Sequence, residues 1–417
     1  MSVSTRQGWT PAPLPAATVT AIRKQAAEDQ ESVTELLKRL VQVPSRGGLD
    51  PYEPIIELVA SWFGDHGLSP RRLLDGEGQP VGLACDVVGS RPGPRYVLDA
   101  CIDTAPFGDE TAWRFPPTSA VIEDGWLYGR GAADSKAAVA VFAHVAARLR
   151  EQASELRGAL TVLYDADEHT GRFGGAKQYF AGPDSPADVA GVMIGYPGLS
   201  KIVIGGRGFL RAKVTVRGEA GHSGGSHEPE GRNAIEKAAV LIRALMRHRV
   251  PAPLDAELDL SPKLSVTEVR GGQGYSVVPD RCEVLVDVRL TRTYDAAAAA
   301  RLIESTVGML DRRMPTARPT TIAYEESWPA YRLDESSPVR LALVRAAAQQ
   351  LLDTPQPKVA GPSNIGCYLA SLGIDATAGF GVAYRGLHGT DESVELSTVP
   401  PVEATYHQAV LSLLTQP

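Results

Sequence analysis

The sequence predicts an α/β fold: a mainly parallel sheet in a main domain, interrupted by an inserted α+β domain. Three observations predict it. Apolar runs of strand length alternate with segments of helical period over 81–194 and again after 338, the texture of a sheet covered on both faces. Over 205–328 strands outnumber crossovers, which marks a separate unit. The length of 417 residues exceeds one ordinary core. The expected limits are 1–207 and 329–417 for the discontinuous main domain and 208–328 for the insert.

After a proline-rich arm at 10–15, Ile22, Val33, Leu36, Leu37 and Leu40 recur at helical spacing. Ile55, Ile56, Val59, Trp62 and Phe63 make a second amphipathic helix that stops near Gly67. Strands follow at 81–88 and 95–100, then a turn-rich stretch at 125–131. The small-residue run 137–147 reads as a helix packed closely on the sheet. A strand at 159–164, a helix beginning near Gly175 and a strand at 189–194 complete the first block. In the insert, 209–216 alternates like a half-exposed strand, 234–248 is helical, 264–269 and 283–290 are strands, and a helix at 295–312 leads to a strand at 320–324. The outer texture returns with a helix at 338–352, a short strand near Val359, a helix after Ser363 and a last helix at 402–414.

Composition narrows the function classes. Hydrophobic content of 43% and charged content of 22% are those of a soluble globular protein, and a net charge of −7 disfavours nucleic acid or an acidic membrane surface as partner. Cys85, Cys101, Cys282 and Cys367 form no C-x-x-C pair, so neither a disulfide framework nor a zinc knuckle is expected, and reduced cytoplasm fits. The arm lacks the charged start and apolar run of a signal peptide, and no segment has the length and apolarity of a membrane span.

Five clusters carry candidate chemistry. The apolar run Tyr96, Val97, Leu98 reads as a buried strand that delivers Cys101 and Asp103 at its end, where a two-residue step points both the same way. In G-R-G-A-A-D-S-K, Asp134 precedes a helix; alone it reads equally as an N-cap, and no phosphate loop is present because no G-K-[ST] follows the glycines. In D-A-D-E-H-T-G, ionisable residues crowd a strand end, a costly arrangement unless a cation or substrate uses them. Glu168 suits a general base there and His169 a metal ligand. His222 in G-H-S-G-G and His388 in G-L-H-G-T-D-E are histidines among glycines.

Together and in this order the clusters resemble the zinc amidohydrolase family of glutamate carboxypeptidase, aminoacylase, acetylornithine deacetylase and succinyl-diaminopimelate desuccinylase. The match runs from about Val33 to the C-terminus through L-D-A-C-I-D-T-A-P, G-R-G-A-A-D-S-K, A-D-E-H-T-G, G-H-S-G with R-N-A-I, G-G-Q-G-Y-S-V-V-P, D-V-R and L-H-G-T-D-E. The resemblance implies a catalytic domain interrupted by a lid, a homodimer formed through the lids, and a site for two zinc ions. It implies that Asp134 is the bridging carboxylate, Asp103 the residue orienting the first histidine, Glu168 the general base, His388 the last ligand and His222 the lid histidine that steadies the oxyanion. This chain departs from the pattern in five places. Cys101 stands where the family has a histidine ligand, His169 where it has a glutamate ligand and Tyr196 where it has an acidic ligand. Ser276 replaces a substrate-binding asparagine, and Asn364 sits where an aspartate is common.

The first expectation is a metal-dependent amidohydrolase acting on a small N-acyl amino acid or dipeptide-like amide, with Arg207, Arg289 and Arg385 as candidate carboxylate binders beside Ser276, Asn364 and Tyr196. For each arginine a surface ion pair is the competing reading. Two rivals stand beside it: thiol-dependent acyl transfer with Cys101 as nucleophile, and a catalytically inactive binding homologue on the same fold. Asp134 is the only carboxylate left among the five ligand positions. With Cys101 as thiolate the set reaches about −2, which balances one divalent ion. One metal is therefore expected, zinc or another first-row ion, on Asp134, His169 and His388, with the position of Cys101 and Tyr196 empty or weak.

Overall fold

A computed structural model describes residues 11–225, 233–247 and 254–415. Thr10 of the arm, Arg232 of the R-N-A-I run and His248 at the expected helix end lie outside them. The chain forms two compact units. One comprises the chain up to Ile204, Leu333–Lys358 and the part from Gly373 onward; the other comprises Gly205–Arg332 and Val359–Leu372. The short return segment is tied within the second unit by Cys367, whose Sγ lies 3.3 Å from the Arg207 carbonyl oxygen.

The first unit is built on a six-stranded sheet in the order Arg71–Leu74, Pro80–Val88, Arg157–Asp165, Arg91–Cys101, Val189–Ile194, Ala376–Ala378. The last four run parallel, and the first two form an antiparallel edge. Parallel strands must be covered on both sides, and the Arg157–Asp165 strand shows how. Tyr164 stacks on Phe63 of the Glu53–Asp65 helix and donates to the Val139 carbonyl of the Ala137–Glu151 helix. Thr161, on the opposite face by strand alternation, accepts from Tyr179 of the Gly174–Ala181 helix. The parallel strands end at Cys101, Asp165 and Ile194. The loops leaving that carboxyl edge, where open α/β sheets place their binding crevice, contain Asp103, Glu168, His169 and Tyr196.

The second unit carries a four-stranded antiparallel sheet in the order Lys263–Gly271, Arg281–Leu290, Gly208–Arg217, Thr321–Trp328. Its second strand alternates between buried and half-buried side chains, the pattern of a sheet with one face on a core. Val284, Val286, Val288 and Leu290 pack there with Leu241 and Leu245 of the Ala234–Arg247 helix and Ile303 and Leu310 of the Ala296–Arg313 helix. Lys237 is fully buried in that layer and pairs with Asp311 at 2.7 Å.

In the first unit the Val399–Leu414 helix is buried nearly all round, against the Ala16–Gln42, Ala137–Glu151 and Pro338–Gln350 helices. It nevertheless carries Glu403 and His407, whose Oε2 and Nε2 atoms make no hydrogen bond. Burial, helped by the charge of Arg148 and opposed by Asp29, depresses the His407 imidazole to about 4. Burial also pushes the Glu403 carboxyl up to about 10. In the unfolded chain a histidine takes its proton near pH 6.5, so the unfolded state binds it first. The stability due to neutral His407 is full above about pH 6.5 and is lost as the pH falls toward 4. Glu403 acts in the opposite sense, and equally in a variant that retains it. Between pH 7 and pH 5 the native protein should therefore lose about 2 kcal/mol more unfolding free energy than His407→Gln, measured by urea titration at the two pH values. Parallel losses in the two proteins would contradict this.

Candidate metal centre

The Arg91–Cys101 strand ends with Cys101 paired across to Asp165, and the chain then turns so that Asp103 is fully buried. Asp103 organises the next loop: its Oδ1 accepts from the Glu168 backbone N–H at 3.1 Å and its Oδ2 from that of His169 at 3.0 Å. A fixed acceptor thus holds the two residues that the sequence singled out after the neighbouring strand. Asp134 enters from the turn before the Ala137–Glu151 helix, and His388 from a separate loop near the C-terminus. His388 Nε2 lies 3.0 Å from Asp134 Oδ2, and His169 Nε2 lies 3.7 Å from the same oxygen. Ligand atoms of Asp134, His169 and His388 fall within 4.8 Å of one another. A second group, Cys101, Asp103 and His169, satisfies the same spacing.

The electrostatics of this corner favour a cation. Both ring nitrogens of His169 are buried without a hydrogen bond, the carboxylates of Asp103 and Glu168 standing 3.5 Å from Nδ1. Burial works against charge on His169, but Asp103, Asp134 and Glu168 outweigh it and raise the imidazole to about 11. Burial likewise opposes ionisation of Asp134, yet His169, His388 and Ser135, whose hydroxyl donates at 2.6 Å, hold its carboxyl well below the usual range. Glu168 is raised to about 7, chiefly by burial, with the Asp134 charge adding to it. Its Oε1 accepts from the Tyr196 hydroxyl at 2.6 Å. Burial and the charges of Asp134, Glu168, Asp103 and Asp165 push the Cys101 thiol well above its ordinary value. That is the reverse of the electropositive setting of a reactive thiolate.

Two residues that sequence reasoning left without a role hold the two loops together. Glu392 accepts the backbone N–H groups of Ala133 and Asp134 on Oε1, at 3.0 and 3.2 Å, and pairs through Oε2 with Arg130 at 2.6 Å. Arg130 in turn donates to the carbonyls of His388 and Gly389 at 3.2 and 3.0 Å. His388 has a left-handed backbone, φ +59°, a conformation that persists where neighbours over-determine it. The only sequence signal was an arginine and a glutamate inside the two motifs that also hold Asp134 and His388.

The remaining candidates divide between the units. Arg385, in the first, lies with its guanidinium 3.7 Å over the Trp126 ring. Arg207, Ser276, Arg289, Asn364 and His222 belong to the second. There Arg207 donates to the Gly361 and Ser261 carbonyls, and Arg289 pairs with Asp287 at 2.8 Å and donates to Ser363. Asn364 caps the Ile365–Ser371 helix through Gly366 N–H. His222 is exposed, and its Nδ1 accepts from Gly224 N–H at 3.0 Å. Ser276 is exposed and accepts from Ser223 N–H through its carbonyl.

Residues 97–412, the span that contains every residue of this corner, match the model of Peptidase family M20/M25/M40. The chain belongs to this family. As an M20/M25/M40 member it is a hydrolytic enzyme of a group that uses divalent metals. Succinyl-diaminopimelate desuccinylase of Alkalilimnicola ehrlichii is 26% identical over 385 residues, 86% of this chain and 99% of that relative. The M20 metallo-carboxypeptidase Sso-CP2 of Sulfolobus solfataricus has the same fold, with a TM-score of 0.72 at 17% identity over 93% of this chain and 99% of its own. So does YXEP of Bacillus subtilis, a dinuclear metal-binding M20 peptidase, at a TM-score of 0.66 and 14% identity over 94% and 98%. The α/β class read from the sequence agrees with this M20 architecture.

The Arg130–Glu392 pair gives a test of how the corner is held. Its side chains are 2% and 1% exposed, so removing one charge strands the other. Glu392→Gln should destabilise the protein by about 3–5 kcal/mol in urea unfolding, whereas replacing both residues by apolar ones of similar volume should cost less. A loss below about 1 kcal/mol in the single variant would contradict the role given to this pair.

Proposed function

We propose that this chain is a mononuclear metal-dependent amidohydrolase that cleaves the amide bond of a small N-acyl amino acid or dipeptide-like substrate. The observation that carries the proposal is the convergence of Asp134, His169 and His388 beside Glu168. The donor set fits a divalent ion: one carboxylate and two imidazoles suit zinc with an open position, and His169 has buried ring nitrogens with no hydrogen bond to lose. When bound, the ion would polarise the scissile carbonyl and lower the pKa of water. Glu168 takes the proton from the attacking water and passes it to the leaving amine, a task suited to a carboxyl raised to about 7. Asp103 fixes the backbone of Glu168 and His169, so both reach the substrate pre-oriented.

The family pattern gives His222 the role of steadying the oxyanion, and Arg207, Arg289, Asn364, Ser276 and Arg385 that of binding the substrate's polar groups. We assign the second unit to dimerisation as well. Its sheet ends in an edge strand, Lys263–Gly271, that is largely exposed, and such an edge calls for a partner or a cover. The four free, buried cysteines suit a reducing cytoplasm.

A single metal follows from the ligand chemistry. Cys101 sits among carboxylates, the Tyr196 hydroxyl is committed to Glu168, and both Asp103 oxygens accept backbone N–H groups, so the second position is short of free charged donors for a divalent ion. Metal-loaded protein, dialysed and analysed by mass spectrometry, should contain one ion per chain. Glu168→Gln should keep that ion and the fold while turnover of N-acyl amino acids falls on the order of 10²-fold or more. Two tightly held ions, or near-normal turnover in the variant, would reject this mechanism. Sedimentation at micromolar concentration should give the mass of two chains; a monomer would remove the dimer.

A further inference from the structure

Tyr196 stands where the family pattern has an acidic ligand, and its hydroxyl points at the general base. It follows the Val189–Ile194 strand by two residues and donates to Glu168 Oε1 at 2.6 Å, while Glu168 Oε2 faces His169 Nδ1 at 3.5 Å. We infer that Tyr196 is the positioning residue of Glu168, its hydroxyl holding one carboxylate oxygen so that the other is the one presented to the proton in transfer. The inference rests on the reading of Glu168 as general base and assigns a partner to it.

Three features support the assignment. The first is chemical. At neutral pH a phenol is a donor with no charge, whereas a carboxylate at position 196 would face Glu168 and Asp134 with a like charge unless a second cation lay between them. The phenol thus removes both the charge and the need for the ion. The second is the division of labour it imposes. A carboxylate has two equivalent oxygens, and a short hydrogen bond to Oε1 makes them inequivalent.

The third is rigidity. Gly195 N–H donates to the Asp99 carbonyl at 2.8 Å, and a Cβ added at Gly195 would meet Ala138 Cβ at 2.5 Å. A Cβ at Gly381 would meet the Tyr196 carbonyl oxygen at 2.6 Å. The backbone of Tyr196 is clamped from both sides, which fixes the origin of the side chain and hence the aim of its hydroxyl.

Tyr196→Phe removes the donor and keeps the ring. In metal-loaded protein, kcat should fall about tenfold or more, as for loss of a hydrogen bond to a charged group, with KM unchanged within about twofold and the metal content by mass spectrometry unaltered. A native kcat, or loss of the metal, would overturn the inference, the second by making Tyr196 a ligand. A thermodynamic cycle supplies a readout independent of turnover. Tyr196→Phe should lower the urea midpoint of the native protein and lower it much less in a Glu168→Ala background. Equal shifts in the two backgrounds would overturn the inference. If the unaltered protein hydrolyses no N-acyl amino acid, the amidohydrolase reading fails while the cycle still decides the Tyr196–Glu168 coupling.

Discussion

The constraint on which the first unit depends is the burial of negative charge at one end of a parallel sheet. Asp99, Asp103, Asp134, Asp165 and Glu392 are all at least nine-tenths buried there, and Glu168 is close beside them. Each is relieved differently. Asp103 receives two backbone N–H groups. Glu392 pairs with Arg130, and Asp134 is surrounded by imidazoles and a hydroxyl. Burial pushes Asp99 up to about 8 and Asp165 well above the carboxylate range, which disfavours charge on both. What is left without relief is the space between Asp134, His169 and His388. A site whose wall has been neutralised everywhere else concentrates its remaining charge on one place, which is the setting the proposed single ion would use.

The substitutions at the site form a coherent set under the same constraint. Histidine, tyrosine and cysteine stand at positions 169, 196 and 101 in place of two acids and a histidine. Under the family pattern the changes at 169 and 196 each remove a negative charge, and the change at 101 exchanges an imidazole for a thiol. Tyr196 then engages Glu168, and Ser135 engages the Asp134 oxygen that lies 4.0 Å from Cys101 Sγ. Tyr196 and Cys101 thus each face a carboxylate oxygen of the same chain, whereas the ring nitrogens of His169 are buried without a hydrogen bond.

Much of this was legible in the sequence, for identifiable reasons. The Ala137–Glu151 helix was read over 137–147 from its run of small residues, and the Arg281–Leu290 strand over 283–290 from its apolar residues, because burial sets both patterns. Asp134, Glu168, His169 and His388 stood out as candidates because each sits in a short run of glycines and ionisable groups, and the structure brings these four together. The rest depends on partners distant along the chain. Periodicity gives a strand but not its direction, so the antiparallel edge of Arg71–Leu74 and Pro80–Val88 was not anticipated. The strands Trp126–Tyr128 and Ser393–Glu395 are too short to show any period, and the first fell in a stretch read as turns. Arg130 and Glu392 are 262 residues apart, and nothing local announces their pairing. The attachment of Val359–Leu372 to the second unit likewise rests on contacts such as Cys367 with Arg207.

The Val399–Leu414 helix has a consequence for how the protein is made. It packs against the Ala16–Gln42 helix, whose Val33, Leu36, Leu37 and Leu40 are buried in the finished fold. A ribosome delivers the first helix long before the last. The Ala137–Glu151 helix covers part of the first helix early, but at roughly 5–20 residues per second the part that the last helix covers waits on the order of 20–70 s. His388 emerges in that same final interval, so cover and cation site are completed together. A chain that stops between residues 388 and 399 would thus carry Asp134, His169 and His388 yet lack the helix that buries much of the Ala16–Gln42 surface.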